Sequence, residues 1–400
     1  MKKRDRYLSR LIDFRDKSMI KVITGVRRCG KSFLLDLFEQ YLLDDGIAAE
    51  AIIKMNFESL AFEEMRDYKR LHNYIKGKLN PSGMTYLLLD EIQQIPQWER
   101  TVNSLRLEKN IDIYLTGSNA WLLSSELSTL LSGRYVEIKM LPLSFKEYLD
   151  FNDYGEAGDL NAYFNQYLEF GGFPGVTELR KHKTVIESFL SGIYNTVIMK
   201  DVVQRGAVRD PALLENLTRF MAGNIGNITS IKSISDYLTS AGRKTTVDTI
   251  DNYLKLLENA YILYRARRFD LKGKLHLKTH EKFYIVDTGI RNELLGFRNS
   301  DYGNVLENIV YFELLRRDYD VSIGKLGALE IDFVATKLGI TTYYQVTATV
   351  LADETRQREL RPLQNIPNHY EKVVLSMDKT PITDFDGIKN INIIDFLLSD

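Results

Sequence analysis

Cysteine is nearly absent from this chain: there is one in 400 residues, Cys29. A lone thiol excludes an internal disulfide framework and a cysteine-rich zinc site. Long apolar runs are missing as well. No stretch approaches the roughly 20 residues that a helix needs to span a bilayer, so no membrane partner is expected. The start, Met1-Lys-Lys-Arg-Asp-Arg-Tyr7, carries charge with no apolar core behind it and does not read as a secretory signal. Neither sign of charge dominates. Lys and Arg number 53 against 54 Asp and Glu, a net charge of −1, so the whole chain is neither a polycation nor an acidic disordered tail. Its length predicts two to four domains and ample core.

What is present is a phosphate loop. Gly25-Val-Arg-Arg-Cys-Gly-Lys-Ser32 matches G-x-x-x-x-G-K-[ST] in full. An apolar strand candidate, Ile20 to Thr24, precedes it, and a helix candidate, Lys31 to Leu42, follows it and stops near Gly46. Strand, glycine loop and helix are the order the chemistry needs. Backbone N–H groups and the positive helix end converge on phosphates, and glycine lets the backbone come close. The expected nucleotide-binding set is Gly25, Val26, Arg27, Arg28, Cys29, Gly30, Lys31, Ser32 and Phe33. In it Lys31 reaches the β- and γ-phosphates of ATP, and the Ser32 hydroxyl ligates Mg²⁺. Cys29 has two readings: a small residue tolerated in the loop, or a thiol whose pKa is lowered by Arg27, Arg28 and the helix end.

The second motif is Tyr86-Leu-Leu-Leu-Asp90-Glu91, an apolar run ending in two acids. It reads as a buried parallel strand with its carboxylates at the C-terminal edge, where ligands sit in open α/β sheets. Asp90 is expected to hold Mg²⁺, and Glu91 to orient and polarise the attacking water. Further strand candidates are Ala51 to Phe57, Ile111 to Leu115 and Tyr135 to Met140, with helices such as Phe62 to Lys78 and Trp98 to Lys109 between strands.

The segments Thr24–Ser32, Leu89-Asp-Glu-Ile-Gln93, Leu115-Thr-Gly-Ser-Asn119, Leu131-Ser-Gly-Arg134, Leu141-Pro-Leu-Ser-Phe145 and Gly171-Gly-Phe-Pro174 together resemble one prokaryotic family. It is a family of AAA+-type ATPases with a C-terminal domain of nuclease-like type. The resemblance covers nearly the whole chain and is best marked in its N-terminal half. It implies an α/β fold: a P-loop AAA+ three-layer αβα parallel sheet, then a helical lid, a winged-helix unit and a small C-terminal α/β nuclease-like domain. The corresponding ranges are 1–150, 151–207, 208–290 and 291–400. It also implies roles. Ser118 or Asn119 matches the sensor of the γ-phosphate and lytic water. Asn56 matches the position that pairs with the catalytic Glu and holds it off. Arg134 matches the arginine finger given to a neighbouring subunit, which implies a homo-oligomer.

Beyond Leu141 the pattern turns helical, with a lid-helix candidate from Val185 to Arg205. Helix candidates Leu213 to Ala222, Ile231 to Leu238 and Val247 to Asn259 follow, the last two resembling a helix-turn-helix capped by Thr245 or Thr246. Ile262 to Phe269 and Lys282 to Val286 would form a wing. Arg265, Arg267, Arg268, Lys272 and Lys274, with Lys278 and Lys282, make that stretch basic and are candidate contacts to double-stranded DNA. The competing reading is a solvated hairpin on a rigid protein dock.

In the last domain a helix, Asn304 to Tyr319, carries Glu307, and a hairpin from Ala328 to Val350 carries Glu330 and Asp332 on one face. This order resembles the PD-(D/E)XK nuclease core, which implies a second metal site at Glu307, Asp332 and Gln345. The family's Glu-x-Lys is here Gln345-Val-Thr347, and threonine cannot replace the lysine charge near the attacked phosphate. The expected function is a cytosolic ATPase that uses ATP and Mg²⁺ to drive a switch or remodelling step. A protein-binding regulatory switch and an ATP-gated nuclease stand as alternatives.

Overall fold

The computed structural model describes all residues except 1, 3, 121–132, 156–157, 180–181, 278–279, 298–300 and 400, and at 198–200 the backbone alone. Leu131, Ser132 and Lys278 therefore lie outside the described residues. The chain divides into two compact units, Met1–Met140 with Asn259–Tyr261, and Leu141–Glu258 with Ile262–Asp400.

The first unit opens with α1 (Asp5–Asp13), whose Tyr7 and Leu11 turn inward. Five strands then form one parallel sheet: β1 (Ile20–Thr24), β2 (Ile52–Asn56), β3 (Thr85–Asp90), β4 (Ile111–Gly117) and β5 (Tyr135–Lys139), in the order β2-β3-β4-β1-β5. Every residue of β1 and β3 is buried, as befits strands covered on both faces; Lys21, in the middle of β1, is buried against Asp112 of β4. Between strands run α2 (Lys31–Asp44), α3 (Tyr68–Gly77) and α4 (Trp98–Leu105). The order has a consequence for chemistry. β4 lies between β1 and β3, so its C-terminal end separates the phosphate loop from the acidic pair.

One expected helix is broken. Phe62 to Lys78 begins as a 3₁₀ turn, Leu60–Arg66, and α3 starts afresh because the Asp67 carboxylate accepts from the N–H groups of Lys69 and Arg70 at 3.0 and 2.9 Å. A side chain that satisfies two orphan donors makes a stronger helix start than the preceding turn offers.

The second unit begins with α5 (Phe145–Phe151), opened by a capping box between Ser144 and Glu147. Gly171 follows α6 (Leu160–Phe170) at φ 75°, and a Cβ there would lie 2.1 Å from Asp287 Oδ1. Asp287 accepts from the N–H of Gly172 at 2.7 Å and of Ile290 at 3.2 Å, which ties the Gly171–Pro174 turn to a helix start 115 residues on. The lid-helix candidate runs as α8 (Lys183–Asn195) and continues as a π-helix, Thr196–Gln204; α7 is the short Pro174–Glu178. Then come α9 (Pro211–Gly223), α10 (Ile231–Ser240) and α11 (Val247–Asn259). Thr246 Oγ1 accepts from the Thr249 N–H at 3.2 Å and caps α11.

The wing strands differ from expectation. β6 (Leu263–Ala266) pairs antiparallel with β9 (Lys282–Ile285), but the strand expected to run on to Phe269 stops at Arg267. β7 (Arg268–Asp270) and β8 (Leu275–His276) instead join an eight-stranded mixed sheet, β14-β15-β13-β12-β11-β10-β7-β8. Its centre is β10 (Asp320–Leu326), β11 (Leu329–Lys337) and β12 (Ile340–Val346), with β13 (Glu371–Ser376), β14 (Asp384–Phe385) and β15 (Ile388–Asn392) beyond. α12 (Thr288–Leu295) and α13 (Tyr302–Arg316) precede these strands. Parallel pairing of β7 with β10 supplies β7 with ladder partners that a free hairpin tip lacks.

Candidate functional site

The phosphate loop is shaped by its glycines. Gly25 sits at φ 146°, and a Cβ there would lie 2.1 Å from the Met140 carbonyl oxygen. Gly30, at φ 104°, is the residue on which α2 begins. Lys31, 4% exposed, donates from Nζ to the carbonyl oxygens of Gly25 at 3.0 Å and Val26 at 3.2 Å. Its nearest carboxylate, Glu91 Oε1, is 4.0 Å away. The ammonium is thus held mainly by neutral carbonyls, weak competitors for it beside a phosphate. Ser32 is exposed at the mouth, and its side chain hydrogen-bonds Asp90. Arg27 pairs with Glu58, Arg28 is exposed at φ 66°, and Phe33 is half-buried.

Two features of the loop were not visible in its motif. Arg4, just before α1, donates from Nη1 to the Cys29 carbonyl at 3.0 Å and braces the loop from below. Cys29 itself is fully buried, and burial pushes its thiol pKa up; the opposing charges of Lys31 and Arg4 are smaller effects. Of the two readings of Cys29, the small buried residue fits and the lowered pKa is corrected, because desolvation of a thiolate outweighs neighbouring charge here.

The acidic pair is wired into the end of β4. Asp90 Oδ1 accepts from Thr116 Oγ1, and Oδ2 accepts from Asn56 Nδ2 at 2.9 Å. Burial raises the Asp90 pKa, against the hydrogen bonds from Thr116 and Ser32. Glu91 turns into the left-handed region, φ 54° and ψ 44°, and its N–H donates to Thr116 Oγ1 at 2.9 Å. Its Oε2 accepts from Ser118 Oγ at 3.1 Å and from Gln93 Nε2. Asn119 is buried beside Ser118. Asn56 is corrected: its amide engages Asp90, since β2 pairs with β3 in a register that sets Asn56 opposite Asp90. Thr116 and Gln93 were missed. Both lay inside quoted motifs, but only the spatial order of the strands shows what they touch.

Arg134 stands at the other end of the sheet. Its carbonyl accepts from the Ile20 N–H at 2.9 Å, where β1 begins, whereas the phosphate loop leaves β1 after Thr24. At ~3.3 Å per strand residue the two edges are roughly 15 Å apart.

Ser32 and Asp90 are hard oxygen donors already within hydrogen-bond contact, which fits Mg²⁺ completed by waters and phosphate oxygens. No group of three or more His, Cys, Asp or Glu able to hold a metal occurs among the described residues. The second expected site is closed by a lysine. Lys282 Nζ, on β9, lies 2.8 Å from Glu307 Oε1, 2.9 Å from Glu330 Oε1 and 3.6 Å from Asp332 Oδ1. Burial disfavours its charge, but the three carboxylates raise its pKa above the usual lysine range. Burial and the neighbouring Glu307 push the Asp332 carboxyl up, Lys282 opposing. Tyr284 donates to Glu307 Oε1 at 2.6 Å, and the Val346 N–H to Asp332 Oδ2 at 2.9 Å. Gln345 is corrected as a metal ligand: its Oε1 accepts from the Asp332 N–H at 3.4 Å while Nε2 donates to Glu359 at 3.1 Å.

Arg265 is corrected as a DNA contact. Its guanidinium is taken up by Glu258 at 2.7 Å, Glu281 at 3.1 Å and Asp251 at 3.8 Å. Arg267, Lys272 and Lys274 are exposed, and Arg268 is half-buried on β7.

Residues 17–149 match the model of the AAA domain family, and residues 161–301 that of a domain of unknown function, DUF8612. An uncharacterized protein of Haemophilus influenzae is 42% identical over 398 residues, covering 99% of this chain and 98% of that protein. The uncharacterized protein MJ1544 of Methanocaldococcus jannaschii is 31% identical over 379 residues, covering 89% and 78%. The chain belongs to one family with these two proteins, and its N-terminal part is an AAA domain. Among solved structures, the Walker-type ATPase PABY2304 of Pyrococcus abyssi superposes with a TM-score of 0.54 at 16% identity, over 74% of this chain and 96% of that one. That likeness is one of fold: an α/β P-loop ATPase architecture. The nuclease-like class expected for the last domain finds no support in these matches. No described helix is long and apolar enough to cross a membrane.

Proposed function

We propose that this protein binds Mg²⁺-ATP at the phosphate loop and hydrolyses it by direct attack of water oriented by Glu91. The observation that carries the reading is the state of Lys31: a buried ammonium on loop carbonyls, 4.0 Å from Glu91, at the start of a helix. An incoming triphosphate offers that charge better partners, and the loop N–H groups and helix end add to the attraction. Catalysis here is positioning and electrostatics. Glu91 faces the phosphate space from a fixed left-handed turn, with Thr116 holding both its N–H and Asp90. Bound through Ser32 and Asp90, Mg²⁺ would neutralise developing phosphate charge. Arg134, remote from its own loop, serves the γ-phosphate of a neighbouring copy, so the active form is a homo-oligomer. Titration with ATP tests the binding half: Lys31→Ala should abolish saturable binding, and undiminished affinity would contradict the reading.

The hydrolysis drives a conformational switch or remodelling step. Contact with double-stranded DNA would rest on Arg267, Lys272 and Lys274, a smaller patch than the sequence offers, because Arg265 is already paired. A switch that binds protein partners is favoured by that loss. Cleavage by the last domain is disfavoured by Lys282, which fills the space between the carboxylates a metal would need.

A further inference from the structure

Among the described residues, Glu91 accepts hydrogen bonds on one oxygen only. Its Oε2 accepts two hydrogen bonds, from Ser118 Oγ at 3.1 Å and from Gln93 Nε2. Its Oε1 has Lys31 Nζ as neighbour at 4.0 Å, beyond hydrogen-bond reach. Gln93 reaches back because of the turn between them. After Glu91 the chain makes a short helical turn, Ile92–Gln94, closed by Gln94 N–H to Glu91 O at 3.0 Å and anchored by the fully buried Ile92. The amide orientation is dictated by charge, since a flip would set the amide oxygen against the carboxylate oxygen. Nε2 also lies 3.5 Å from Ser118 Oγ, whereas the buried Oε1 of Gln93 accepts no hydrogen bond from any described residue. The amide is thus committed to Glu91 and Ser118 and to nothing else described.

We infer that Gln93 is the positioning residue of the hydrolytic base: with Ser118 it pins Glu91 Oε2 and leaves Oε1 as the oxygen that takes the proton of the attacking water. The inference rests on the ATPase reading above. In the step, a water O–H bond breaks and its proton goes to Glu91 Oε1. The water oxygen bonds the γ-phosphorus, the bond from that phosphorus to the β–γ bridging oxygen breaks, and ADP leaves with that electron pair. A hydrogen bond to a charged group is worth about 1.5–3 kcal/mol, so losing one of the two restraints on Oε2 should lower kcat roughly 10- to 100-fold.

The test is steady-state ATP hydrolysis by the full chain as wild type, Gln93→Ala, Gln93→Glu and Glu91→Gln, with KM and kcat separated and a pH profile for each. Gln93→Ala should lower kcat by about that factor with KM for ATP unchanged. Gln93→Glu keeps the side chain's size but sets a second carboxylate beside the first. The acidic limb of its kcat profile should therefore move to higher pH, a change that a merely structural role would not produce. A Gln93→Ala kcat within twofold of wild type beside an inactive Glu91→Gln would overturn the inference and leave the ATPase reading intact, as would a Gln93→Ala defect confined to KM. Wild-type turnover by Glu91→Gln would overturn both.

Discussion

Lys31 and Lys282 both stand near carboxylates, and the contrast between them separates a site able to exchange partners from one built to keep them. Lys31 is held by two carbonyl oxygens, with Glu91 4.0 Å away. Lys282 lies within 3.6 Å of Glu307, Glu330 and Asp332. A phosphate can take the first ammonium from neutral partners at little cost. Removing the second strands several buried charges, which costs far more than the pair gained on forming. Both lysines are buried, so burial alone does not distinguish a working site from a structural one; the charge of the partners does.

The comparison is sharpest in stability. Lys282→Met should cost about 3–5 kcal/mol, read as a lower urea midpoint for the full chain, because the carboxylates lose the cation that lies among them. A loss below about 1 kcal/mol would show that the cluster is not charge-locked.

Asp287 supplies a carboxylate that accepts from backbone N–H groups, and Asp287→Ala should cost about 2–3 kcal/mol by orphaning the Gly172 and Ile290 donors. Burial pushes the Asp287 pKa up to about 6, above its ordinary 3.8. A pKa raised on folding means that the folded state holds its proton longer. The stability Asp287 contributes is thus fully present below pH 4 and shrinks as pH rises through 6. The gap between wild type and Asp287→Ala should narrow from pH 4 to pH 7, and a widening gap would reverse the argument.

Arg265→Gln should cost about 1–2 kcal/mol, since its three carboxylates are part-buried, while Arg267→Gln, on an exposed side chain, should leave the midpoint unchanged. The smallest effect belongs to the exchangeable lysine: Lys31→Met should shift the urea midpoint by less than the equivalent of about 1 kcal/mol. A large loss there would erase the distinction between the two lysines.

What could be read from the sequence was local. The phosphate loop, the buried acidic strand and the helix Val247–Asn259 are contiguous patterns whose spacing carries their meaning, and each lies within a residue or two of its expected place. The pairings were not local. Asn56 turned to Asp90 because of strand register, Thr116 reached both acids because β4 inserts beside β3, and Lys282 met Glu307 from 25 residues away. Nothing in the hairpin's own sequence announces that Lys282, on another strand, comes to lie among its carboxylates. The same blindness made Arg265 read as a basic surface residue, although its carboxylate partners lie up to 16 positions away in the chain.

The central claim is that Glu91 turns a nucleotide site into a hydrolysing one, and the most direct measurement is ATP turnover by wild type and Glu91→Gln across protein concentration. The account predicts steady hydrolysis by the wild type, with specific activity rising with concentration as Arg134 reaches a neighbouring copy. It predicts at least a 100-fold lower rate in Glu91→Gln, which should still bind ATP. Equal turnover by the two proteins would contradict it.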